Sequence, residues 1–168
     1  LSLAGWLSVF SLPGIESAVN QATAKGFEGS FYSGFKTKLK WGVLGSLAAL
    51  GLAAYYWIKG RYDIAIPLLI SAAFLPLMQA SQIYGSFLTG KKLFNVEVKY
   101  TTLAQIISTA VSILVLFTAK NIFWLVASYF ISRTLLNYFF YLLTKFRFKP
   151  NKKEDEQTIS FGKHLSIM

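Results

Sequence analysis

The chain has no cysteine. That excludes disulfides and every cysteine-based metal site. Its one histidine is His164, in the terminal stretch, and no co-ligands stand near it in sequence. Acids are scarce: the seven are Glu16, Glu28, Asp63, Glu97, Glu154, Asp155 and Glu156. No pair among them has the spacing of a carboxylate dyad or of a metal-dependent transferase. No Gly-rich phosphate loop follows a strand, because no strand pattern is present. A non-catalytic chain with no metal and no cofactor is expected. Charge itself is thin, at 14% of 168 residues, against about 25% in soluble domains. The chain also lacks an initial Met and a basic leader ahead of Leu1, so no intact signal peptide is read and a fragment of a longer protein is expected.

What fills the chain instead is apolar sequence, 54% hydrophobic and 17% aromatic. Five apolar segments stand out, at 1–24, 41–58, 64–89, 101–119 and 122–144. The run 41–58 carries no charge; as a helix it is roughly 27 Å long, close to the hydrocarbon thickness of a bilayer. Barrel strands would be about 9–11 residues with strict alternation, which is absent. The expected fold is all-α: a polytopic membrane bundle of about five helices, with residues 158–168 as the amphipathic start of a sixth.

The net charge of +10 would suggest nucleic acid in a soluble protein. Here the cations punctuate apolar runs, and no nucleic-acid partner is expected. Thirteen of the seventeen Lys and Arg fall on alternate sides at 25–40, 91–99 and 145–163, and three on the other sides, at 59–61 and 120. The positive-inside rule puts the richer side in the cytoplasm, so loops 25–40, 90–100 and 145–163 are expected there. The charged, Pro-containing stretch 145–157 reads as a cytoplasmic linker. Aromatics at 55–57, Trp124, Trp41 and Tyr100 lie near segment ends, where the interface favours them.

Polar residues inside the apolar runs are the candidate site. Arg133 lies twelve residues from both Asn121 and Lys145. A mid-membrane Arg costs at least ~2.5–3.5 kcal/mol, so it should face protein or water. Asn137 is one turn away on the same face. Two readings stand side by side: an anion contact through the guanidinium fork, or an ion pair with Glu16. Glu16 and Asn20 share a helix face four residues apart, after a Pro13–Gly14 step that predicts a kink. Pro67 and Pro76 offer two more kinks, followed by Gln79 and Gln82. Small residues recur every four positions at Gly42/Ser46, Gly45/Ala49 and Ala49/Ala53, a pattern that lets helices approach closely.

Four stretches carry a family resemblance: "FSLPGIESAVNQATAKG" (10–26), "FKTKLKWGVLGSLAALGL" (35–52), "AAFLPLMQASQIYGSFLTGKKLF" (72–94) and "TISFGKHLSIM" (158–168). In their order they resemble the polysaccharide-biosynthesis membrane proteins, the Wzx-type oligosaccharide flippases of the MOP superfamily. The resemblance implies a two-lobed transporter in the inner membrane, of which this chain would be most of the first lobe, the inter-lobe linker and the start of the next helix. It implies transport of an undecaprenyl-pyrophosphate-linked oligosaccharide between leaflets by alternating access. The implied partners are the bilayer, that lipid-linked substrate, a second lobe and glycan-assembly proteins. Arg133, Asn137, Glu16, Asn20, Gln79 and Gln82 would line the cavity. A multidrug exporter of the same superfamily, and less so a polytopic glycan polymerase or acyltransferase, are the alternatives.

Overall fold

The computed structural model describes residues 13–119 and 121–153. Helices form because apolar segments of this length have no water to satisfy their backbone groups and must satisfy them internally. They are α1 (Pro13–Ala24), α2 (Ser30–Ile58), α3 (Tyr62–Ser81), α4 (Ile83–Gly90), α5 (Phe94–Ala119) and α6 (Ile122–Phe148). No strand occurs among the described residues. The protein is thus an all-helical membrane bundle. Three stretches are long and apolar enough to cross a bilayer by length and composition: Ser30–Ile58, Tyr62–Gly90 and Phe94–Thr118. α6, which carries Arg133 and Asn137, is not among them; it packs on α3 and α5, and these polar residues face inward.

Several expected boundaries move. α2 starts at Ser30 rather than 41, α5 at Phe94 rather than 101, and α6 runs to Phe148 rather than 144. Helices outlast their charge-free cores, because the ends can carry lysines into the interfacial layer. Much of 25–40 and 90–100 is therefore helix rather than loop; only 25–29 and 91–93 connect. The expected Pro13–Gly14 kink depends on residues 1–12, which lie outside the described residues, as do 154–168 with the expected start of a further helix.

The turns have local causes. Gly26 (φ 89°) and Gly60 (φ 72°) adopt left-handed backbone that glycine tolerates. Asn121 caps α6 by accepting from the Phe123 N–H at 2.9 Å. At the other end Lys149 takes the left-handed conformation (φ 40°), and Pro150 follows it.

α2 packs mainly on α3, α5 on α6, α6 on α3, and α1 on α4. The α2–α3 contact uses the small-residue stripe: Gly42, Gly45, Ala49 and Ala53 are all buried. A Cβ on Gly42 would sit 2.8 Å from the Pro76 Cα. α3 passes through Pro67 and Pro76 without ending, and breaks instead at Gln82. The outward surface is the reverse of a soluble protein's, with Leu47, Ile58, Ile106, Phe117 and Leu135 more than half exposed. The core lies toward the lysine-rich end and is aromatic. Phe31 stacks on Tyr141 at 4.8 Å, and Tyr100 on Phe140 at 4.6 Å.

That end is also tied by polar contacts. The Glu28 carboxylate accepts from Lys91 Nζ at 2.7 Å and from the Asn151 backbone N–H at 2.9 Å. The Gly29 N–H donates to the Lys153 carbonyl at 2.8 Å. Turns 25–29 and 91–93 and the chain leaving α6 thus meet at one end of the bundle. Burial pushes the Glu28 carboxyl up, but the Lys91 ammonium and the Asn151 N–H outweigh it and hold the carboxyl below its ordinary value.

Candidate functional site

α1, α4, α5 and α6 border an open cavity of about 400 Å³ whose wall is mostly polar. α1 contributes Glu16, Ser17 and Asn20, which its helical spacing places on one face. Gln82 lines it from the α3–α4 break, with Tyr84, Ser86 and Thr89 from α4. α5 adds Glu97 and Thr101, one turn apart, and the Thr101 hydroxyl donates to Glu97 Oε1 at 3.1 Å. α6 adds Arg133 and Asn137, again one turn apart.

Glu16 is already engaged. Lys38 of α2 donates from Nζ to Glu16 Oε1, with the lysine side chain only 2% exposed. Arg133 is not engaged: its Nη1 is buried with no hydrogen-bond partner, and the ion pairs among the described residues leave it out. Asn137 is 1% exposed, and neither its Oδ1 nor its Nδ2 has a partner. Unmade hydrogen bonds of this kind are costly inside a protein, and each calls for a reason. The wall therefore offers a guanidinium and an amide as free donors, beside amide and carboxylate acceptors. Such a set binds a polar, anion-bearing group. No cluster of three or more metal-ligating side chains occurs among the described residues.

A family model described as polysaccharide biosynthesis protein matches residues 1–168, the whole chain. The chain belongs to this family. It is a membrane protein of polysaccharide synthesis. No curated protein and no solved structure matches it.

Within this polysaccharide biosynthesis protein, Arg133, Asn137, Glu16, Asn20 and Gln82 come together on one cavity. Gln79 does not. Three residues before Gln82, it would share a face with it on an unbroken helix, but α3 stops at Ser81 and α4 starts afresh at Ile83. Of the two readings for Arg133, the ion pair with Glu16 is not formed, because Glu16 pairs with Lys38 instead.

Sequence reasoning missed Lys38, Glu97, Tyr84 and Thr101. Lys38 looked like a connector charge. A signal was present: Phe31, Gly34, Lys38, Gly42, Gly45, Ala49 and Ala53 recur at three- and four-residue steps, so Lys38 sits in the buried stripe of α2. Glu97 and Thr101 carried the i, i+4 spacing of a helical pair.

Proposed function

We propose that this polysaccharide biosynthesis protein is part of a flippase. Its cargo is an oligosaccharide on undecaprenyl pyrophosphate, carried from the inner to the outer leaflet of the bacterial inner membrane. The lysine-rich end faces the cytoplasm, in keeping with the positive-inside rule. The chain acts by transport rather than by catalysis. It spans the membrane several times and works with a second lobe by alternating access.

One observation carries this reading: Arg133 and Asn137 present buried, unpartnered donors to a polar cavity inside apolar helices. Intramembrane polar groups are expensive and mark substrate pathways. A guanidinium fork matches the oxygens of a pyrophosphate. An Asn amide one turn away suits a sugar hydroxyl or a further phosphate oxygen.

The test uses the full-length protein in a strain lacking its own copy. Arg133→Ala should abolish surface polysaccharide, leave the protein in the membrane, and make the lipid-linked intermediate accumulate. Arg133→Lys should restore part of the export, because it keeps the charge and loses the fork. Wild-type export by Arg133→Ala would overturn the reading.

A further inference from the structure

Three charged side chains line the cavity: Glu16, Glu97 and Arg133. Taken alone they give two carboxylates against one guanidinium, a poor receptor for an anion. Lys38 alters that balance from behind the wall. It is not itself a lining residue. It reaches Glu16 from α2, and its ammonium is removed from solvent by the packing of α1 and α2. The Glu16 side chain remains 42% exposed on the cavity side.

We infer that Lys38 is a positioning residue of this cavity: it neutralises and holds Glu16, so that Arg133 stays available to an anionic group of the ligand. The inference rests on the proposed function, and it names the charge logic of that same site. A lysine buried in a stripe of Gly and Ala is costly unless it is paired. The pair also fixes which way Glu16 points. Without Lys38, Glu16 is a second free carboxylate on the same cavity wall as Arg133, and opposite charges there attract. The guanidinium is then neutralised from within, and an incoming phosphate meets net negative charge.

The experiment measures binding to the purified full-length protein of two probes, a short-chain prenyl pyrophosphate and the matching uncharged prenol. Lys38→Met should weaken the pyrophosphate about tenfold, the scale of one weakened ionic contact, and leave the prenol unchanged. Lys38→Arg and the double variant Lys38→Met/Glu16→Gln should return pyrophosphate binding to the original level. Equal weakening of both probes would mean that Lys38 merely supports the fold, and no change in either would mean that it does nothing; both overturn the inference. Should Lys38→Met fail to insert, Lys38→Gln decides, because it keeps a donor toward Glu16 and loses the charge: it should weaken the pyrophosphate alone, and equal weakening of both probes or no change in either would overturn the inference. Arg133→Ala separates the two levels. If it leaves pyrophosphate binding intact, the proposed function fails at its anion contact. If it weakens binding while Lys38→Met does not, only the role of Lys38 fails.

Discussion

The Ser46 hydroxyl of α2 donates to the Ala72 carbonyl of α3. Ala72 is four residues before Pro76, so its carbonyl is the one that the proline leaves without a helical donor. One helix thus repairs the backbone of the other, as membrane helices require. Ser46→Ala should lower the stability of the bundle by about 1 kcal/mol. On a Pro76→Ala background the same substitution should cost close to nothing, because the backbone N–H regained at that position serves the Ala72 carbonyl. A double-mutant cycle on thermal unfolding in detergent checks this, and additive effects would refute it.

Gly42 seats Pro76 with no room for a side chain, since a Cβ there would meet backbone at 2.8 Å. Gly51 on the same helix has nothing within 4 Å of a Cβ. Gly42→Leu should separate α2 from α3 and cost about 2 kcal/mol or more. Gly51→Ala should be neutral or stabilising by up to about 1 kcal/mol, because helix propensity favours it. The melting temperature of Gly42→Leu should fall below the parent's and that of Gly51→Ala should lie at or above it.

Asn137 buries two unsatisfied atoms, so an apolar residue of similar size removes a penalty. Asn137→Leu should raise stability by about 1–2 kcal/mol and lower export at the same time. Such a trade is expected where a site is kept polar for a ligand. A variant that is both less stable and fully active would contradict the placement of Asn137 in a binding cavity.

The Glu28 clasp should depend on pH. Its folded carboxyl titrates below the ordinary 4.5. A lowered folded value means that the carboxylate's contribution is complete above about 4.5 and is lost as pH falls through the lower folded value. Amide exchange at Asn151, whose N–H the carboxylate accepts, should be slow at neutral pH. It should lose its protection in acid, and at all pH values in Glu28→Ala, which has no side-chain acceptor. Protection in Glu28→Ala equal to that of the parent would rule the clasp out.

The sequence foretold the helices and most of the cavity for one physical reason: polar residues are rare in apolar runs, so Arg133, Asn137, Glu16, Asn20 and Gln82 stood out. It foretold the Gly42–Ala53 stripe because close packing demands small residues at helical steps. Helix ends were less legible. A lysine well inside α2 and a lysine in a connector look alike in a hydropathy profile, so Lys38 reads as a connector charge and the only partner the sequence offers Glu16 is Arg133. Glu97 suffered the same fate beside Lys99. Gln79 failed for a different reason: the helix breaks at Gln82 and at neither proline, so the face shared by Gln79 and Gln82 on one continuous helix does not carry across.

At the lysine-rich end, the Glu28 contacts make a mechanical anchor. The chain at Lys153 is joined through Gly29 to the start of α2, and through Asn151 to the Gly26 carbonyl, just past the end of α1. Beside its covalent path through α6, the chain at Lys153 is therefore tied directly to the two helices that carry Glu16 and Lys38, so the exit of α6 and the charged pair of the cavity share the same two supports.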